Sequence, residues 1–217
     1  MDPPKLWRVI ELPKEFCTRE SMQNRTVSFG GDIRIGDLRN NGQADFLVYR
    51  SKENAHDEGG IKPCFLGAFT VDGESLWSSG KGGTQPSRPG PVCIHDLDGD
   101  GRTEVICFFR REQIDATATS MANVVIQIRD GATGCVKKEA APARLRLCRG
   151  KGANWVHQRI LIANFRGLPS PQDFVVKLGV HLLAFDSNLD ILWEYESPWS
   201  EYGHCPAYIP AIGDIDG

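Results

Sequence analysis

Asp96-Leu97-Asp98-Gly99-Asp100-Gly101-Arg102-Thr103-Glu104 decides the reading of this chain. Carboxylates stand at its first, third and fifth positions, a glycine at the sixth and Glu104 at the ninth. Calcium takes oxygen ligands in that rhythm, and glycine allows the sharp turn between them. A helix–loop–helix calcium site would carry a bidentate glutamate at the twelfth position, where this chain has Cys107. The flanks Pro91-Val92-Cys93-Ile94 and Val105-Ile106-Cys107-Phe108-Phe109 are short, β-branched or aromatic runs, so the loop is expected between strands.

The frame recurs. Asp37-Leu38-Arg39-Asn40-Asn41-Gly42-Gln43-Ala44-Asp45 keeps positions one, five, six and nine, with Phe46-Leu47-Val48-Tyr49 behind it. A degraded copy, Asn164-Phe165-Arg166-Gly167, leads after a short insertion into Asp173-Phe174-Val175-Val176. Gly213-Asp214-Ile215-Asp216-Gly217 begins a fourth. First positions 37, 96, 164 and 214 are spaced by 59, 68 and 50 residues, and a period on the order of 50 residues points to propeller blades or a solenoid. A second echo runs in phase. Gly67 to Trp77, Val125 to Val136 and Leu182 to Trp193 each place a turn (Asp72-Gly73, Asp130-Gly131, Asp186-Ser187) between apolar runs. Asp-Gly in that setting is a strong hairpin signal. Each unit therefore reads as strand, acidic loop, strand and hairpin. Four short antiparallel strands make one blade, and the expected class is an all-β propeller.

The departures from the frame are informative. Arg39 holds the third position of unit one, where a guanidinium could replace a cation by pairing with Asp37 and Asp45. Asn164 and Arg166 remove both early carboxylates of unit three. Only unit two carries a complete ligand set: Asp96, Asp98, Asp100 and Glu104 through side chains and Arg102 through its carbonyl. Asp214 and Asp216 open the fourth set. The structural alternative for unit two is an acidic turn that caps a hairpin without metal.

Composition agrees with a loop-rich β protein: 41% hydrophobic residues, 23 glycines and 13 prolines. A net charge of −3 gives no electrostatic case for nucleic acid. The basic run 144–151 is local and reads as a solvated strand face or loop. The best helical candidate, 114–121, is short and polar. No apolar run is long enough for a membrane helix, and no signal peptide is visible at the start. Seven cysteines form no metal-binding pairs. Cys93 and Cys107 fall on core strands, which favours a reducing, cytoplasmic setting. A leader outside the sequence would make the protein secreted instead.

The organisation expected is an N-terminal segment, 1–29, as an added or closing strand, then units near 30–88, 89–156, 157–205 and 206–217. The stretch 138–157 reads as an insertion between units two and three. Three blades and the start of a fourth would leave open sheet edges, which folds avoid. The reading is therefore the N-terminal part of a longer propeller, with closure by oligomerisation as the alternative.

Ile94-His95-Asp96-Leu97-Asp98-Gly99-Asp100-Gly101-Arg102-Thr103-Glu104-Val105 and Ile212-Gly213-Asp214-Ile215-Asp216-Gly217 resemble the FG-GAP/VCBS propeller repeat. With the Leu-Ala-Phe-Asp…Leu-Trp hairpins, residues 30–217 resemble the propeller polysaccharide lyases. The rhamnogalacturonan lyases of family 11 type come first and the propeller ulvan lyases next. The resemblance implies Ca2+ in the acidic loops. It also implies β-elimination on an acidic polysaccharide, by the complete protein rather than this stretch alone. FG-GAP blades also occur in adhesion proteins, so the second reading is a non-catalytic module that binds carbohydrate or protein.

Such a lyase needs a base for the proton α to a uronate carboxylate and a cation to stabilise the enolate-like intermediate. Two loop segments, 152–159 and 199–208, carry a histidine among aromatic and polar groups. His157 is the candidate base, Arg159 the carboxylate partner, and His204 or Tyr208 a second proton-transfer group. Trp155, Trp199 and Tyr202 could stack on sugar rings. The plainer reading of these aromatics is packing between blades, the role assigned to Trp77 and Trp193. His95 supports the acidic loop from behind. His56 and His181 belong to no constellation.

Overall fold

Each of the three acidic loops joins the first two strands of a four-stranded antiparallel sheet. The computed structural model describes residues 6, 8–12, 31–51, 62–79, 84–85, 92–110, 124–147, 160–178, 181–196 and 212–213. Unit one comprises β1 (Gly31–Gly36), β2 (Asp45–Ser51), β3 (Lys62–Thr70) and β4 (Ser75–Ser79). After a two-residue strand, β5 (Thr84–Gln85), unit two comprises β6 (Val92–His95), β7 (Glu104–Arg110), β8 (Val124–Asp130) and β9 (Val136–Ala140). A short 3-10 segment, Ala143–Leu147, precedes the described part of unit three: β10 (Ile160–Ala163), β11 (Asp173–Leu178), β12 (His181–Phe185) and β13 (Ile191–Glu196).

Every pairing within the units is antiparallel between consecutive strands. Strand β5 has no sign in the sequence pattern. It pairs with both β3 and β7 and so stitches units one and two into one continuous sheet. The expected insertion at 138–157 starts too early, because Lys138, Glu139 and Ala140 complete β9. The charged composition of that strand hid it, and its pairing with the apolar β8 holds it in place. The helical candidate 114–121 lies outside the described residues.

Side chains alternate faces along a strand, and the cores follow from that. Ile106 and Phe108 of β7 pack towards unit three with Leu97, Phe174, Val176 and Phe185. Val105, Cys107 and Phe109 pack towards unit one with Leu38, Leu47, Tyr49 and Trp77. A strand buried on both faces reads as an unbroken apolar run, which is why Val105-Ile106-Cys107-Phe108-Phe109 has no polar interruption. On the far side of unit one, Val48, Phe65 and Phe69 meet Ile10 and Leu12 of the N-terminal segment. The described residues 8–12 lie there without forming a strand.

The units are joined by equivalent contacts. Strand β6 lies beside both β1 and β10. Trp77 on β4 donates its Nε1–H to the Gly131 carbonyl at 2.7 Å, in the hairpin turn of unit two. Lys138, at the matching place on β9, donates to the Ser187 carbonyl at 2.8 Å in the turn of unit three. Gly131 is required at its junction: a Cβ there would lie 2.5 Å from the Thr103 carbonyl oxygen and 2.9 Å from that of Leu38. Arg144, expected as part of a solvated basic run, instead pairs with Glu194 and Glu196 on β13, tying the 3-10 segment to unit three.

Candidate metal centre

The turn in the unit-two loop is built by its own carboxylates. Asp96 accepts from the backbone amides of Gly99 (2.9 Å) and Gly101 (3.1 Å), and Asp100 accepts from that of Arg102 (2.8 Å). Gly99 and Gly101 have φ of 74° and 83°, the left-handed region where a β-carbon is strained. Glu104 begins β7, almost fully buried, and its Oε2 accepts from the Leu97 amide at 2.8 Å. Leu97 is itself buried in the core between units two and three and anchors the loop.

Asp96, Asp98 and Glu104 bring one oxygen each within 4.8 Å of one another, a group able to hold a metal ion. Asp100 stands outside that triad. The all-oxygen donor set fits a hard divalent cation, and burial of Glu104 limits competition from water. A lysine that the sequence reading missed shares these oxygens. Lys137 Nζ lies 2.7 Å from Glu104 Oε1, 2.9 Å from Asp98 Oδ2 and 3.4 Å from Asp100 Oδ2. Burial works against its charge, but the hydrogen bonds to Glu104 and Asp98 prevail and hold it above the ordinary lysine value. Burial pushes the Glu104 carboxyl up, with the Lys137 bond opposing.

Unit one follows the sequence reading in part. Arg39 Nη2 lies 2.9 Å from Asp45 Oδ1, and its Nε donates to both Asp45 oxygens at 3.1 and 3.2 Å. Asp37 instead accepts from the amides of Asn41 (3.0 Å) and Gly42 (2.7 Å), which lower its carboxyl below the usual range. In unit three Arg166 donates to Asp173 at 2.7 Å and reaches Asp186 at 3.6 Å. The loops also clasp one another. Asn40 Oδ1 accepts from the Thr103 amide at 3.1 Å and its hydroxyl at 2.9 Å. His95 Nε2 donates to the Pro171 carbonyl at 2.7 Å.

Nine of the residues singled out from sequence lie outside the described residues: Trp155, His157, Arg159, Trp199, Tyr202, His204, Tyr208, Asp214 and Asp216. His56 lies outside as well. Cys107 is fully buried and Cys93 partly, and desolvation raises the thiols to about 12 and about 11, so both are inert at neutral pH. Trp77 is buried between units, whereas Trp193 is 38% exposed and meets Phe165 edge-on at 5.2 Å.

No family model matches this chain, and no curated protein does. Among solved structures, the fold is similar to that of rhamnogalacturonan lyase YesW, with a TM-score of 0.56 and 20% identity over 78% of this chain. A Bacillus licheniformis rhamnogalacturonan lyase gives 0.55 and 18% over 78%, and the exotype rhamnogalacturonan lyase YesX gives 0.54 and 17% over 80%. The matched region is 34% of each of those chains, so this chain spans about a third of their length. At such identities the likeness is one of fold.

Proposed function

We propose that the three units are consecutive blades of a calcium-binding, FG-GAP-type β-propeller. The complete protein carrying them would cleave an acidic polysaccharide of rhamnogalacturonan type by β-elimination. The fold likeness to three rhamnogalacturonan lyases over about four-fifths of the chain carries this reading. The packing favours a propeller. Loop residues Leu38 and Leu97 and the hairpin residue Trp77 are covered by the following unit. Phe165 and Trp193 hold the corresponding places in unit three and are 39% and 38% exposed, as on a face that receives a further blade.

Calcium is the ion proposed for the unit-two loop because its side-chain donors are all carboxylate oxygens. Its role there is to fix the blade, and the carbonyl of Arg102 would complete the set. For the reaction, His157 is proposed as base, with Arg159 on the uronate carboxylate and His204 or Tyr208 as second proton-transfer group. Trp155, Trp199 and Tyr202 would bind sugar rings.

One observation favours the alternative, a non-catalytic module that binds carbohydrate or protein. Both described histidines serve the fold: His95 ties the loops of units two and three together, and His181 is buried beside Arg144. A single experiment separates the two. The complete protein is incubated with rhamnogalacturonan, ulvan and other acidic polymers while the ultraviolet absorbance of an unsaturated uronate product is followed. The lyase reading expects product from at least one polymer and its loss in His157→Ala or His204→Ala. If a folded protein releases none from any, the binding-module reading takes its place.

A further inference from the structure

The three units share one buried acid at the start of their second strand. Asp45, Glu104 and Asp173 pair in register with the last residue of the first strand, Gly36, His95 and Ala163, and are 0–1% exposed. Each meets a cation from its own unit: Arg39, Lys137 and Arg166. The cation has two possible origins. One is the third loop position, which is Arg39, Asp98 and Arg166 in the three units. The other is a bulge that recurs in the hairpin of the third and fourth strands of each unit. Trp77, Lys138 and Trp193 pair with Ala68, Ile128 and Ala184, while Ser75, Val136 and Ile191 pair with the next residue along. The extra residue is Leu76 in unit one, Lys137 in unit two and Leu192 in unit three. Where the loop supplies arginine, the bulge supplies leucine. Where the loop supplies aspartate, the bulge supplies lysine.

We propose that Lys137 is a tethered counter-cation that competes with calcium for the Asp96–Glu104 loop, and that Arg39 and Arg166 close the other two loops to metal. This rests on the calcium reading of the unit-two loop. The ammonium contacts two of the three triad oxygen groups at hydrogen-bonding distance. Calcium needs carboxylate oxygens at roughly 2.3–2.6 Å, and two cations on the same oxygens repel strongly where water is scarce. Binding therefore requires the lysine to swing out. Its flexible stem and 27% exposed side chain allow that movement. The arginines differ. A guanidinium fork lies across both oxygens of Asp45, and Arg166 is anchored to Asp173 and Asp186 together. Neither loop retains an aspartate at position three to attract an ion.

The test uses the full chain, Lys137→Leu and Asp98→Arg/Lys137→Leu, with calcium titrated calorimetrically and melting followed in chelator and in calcium. Leucine is the residue this bulge carries in units one and three, and the double variant transplants their loop arginine and bulge leucine together. Lys137→Leu should melt roughly 2–8 °C lower than wild type in chelator. It should bind calcium roughly tenfold tighter than wild type, because a neighbouring positive charge is gone. The double variant should recover the melting temperature in chelator and lose calcium binding. Equal calcium affinity in wild type and Lys137→Leu overturns the competition and leaves the calcium reading standing. Binding by neither overturns that reading and the inference with it. An unchanged melting temperature of Lys137→Leu in chelator, or a double variant no more stable than the single one, overturns the counter-cation role independently of calcium.

Discussion

Loops 37–45 and 96–104 lie side by side, bridged by Asn40 and Thr103, and share one backbone plan, yet they are neutralised from opposite directions. In both, the first aspartate accepts two loop amides and the ninth residue is a buried acid. In unit one the cation comes from within the loop. In unit two it arrives from the hairpin, 33 residues further along the chain. The backbone plan therefore does not depend on how its charge is balanced. What varies is whether the balance can be exchanged: a forked arginine held inside the loop is fixed, whereas a lysine reaching in from a neighbouring strand can leave.

The sharpest way to break this comparison is to remove the fixed cation. Arg39→Met leaves Asp45 fully buried without its guanidinium, and a broken pair of that kind costs about 2–4 kcal/mol when one partner is partly exposed. For a chain of this size that is a fall in Tm of roughly 4–16 °C. Calcium should not restore it, because the loop has Asp37 and Asp45 but no carboxylate at position three or five. Melting curves in chelator and in calcium measure this directly. A calcium rescue of Arg39→Met would mean that Arg39 alone closes this loop to metal and that the missing carboxylates at positions three and five do not.

Much of this was legible in the residues. The strands flanking Asp96–Glu104 stand in register where the apolar runs place them, at Val92–His95 and Glu104–Arg110. The hairpins turn at Asp72-Gly73 and Asp130-Gly131, and Arg39 meets Asp45 as its position suggests. Lys137 was not legible. It sits one residue past the hairpin pattern, in the charged strand Val136-Lys137-Lys138-Glu139, where alternation alone does not say which lysine turns towards the loop. The bulge decides it: one extra residue reverses the facing of every later side chain on the strand. The strand β5 was hidden for another reason. Two residues are too short to show periodicity, and only its two partners define it.

A gentler intervention sharpens the contrast within unit two. Asp98→Ala leaves Lys137 bonded to Glu104 at 2.7 Å, so stability in chelator should change by only about 0.2–1 kcal/mol, the worth of a partly exposed pair. Any rise in Tm that calcium gives the wild type should disappear, since a ligand-linked gain vanishes with the site. An identical calcium response in wild type and Asp98→Ala would place the ion elsewhere.

The smallest effect concerns the feature the loops have in common. The Asn41 and Gly42 amides hold the Asp37 carboxyl below its ordinary value of 3.8. A carboxyl with a lowered folded pKa contributes stability that is present above the unfolded value and is lost as pH falls through the folded one. Asp37→Asn should therefore be slightly less stable than wild type at neutral pH, and the gap should close on acidification below about pH 4. Paired denaturant titrations at neutral and acid pH measure the gap. A gap that persists in acid would assign the loss to the altered turn geometry of unit one rather than to the charge on Asp37. The backbone plan shared by the two loops would then depend on the shape of the first side chain, with its ionisation incidental.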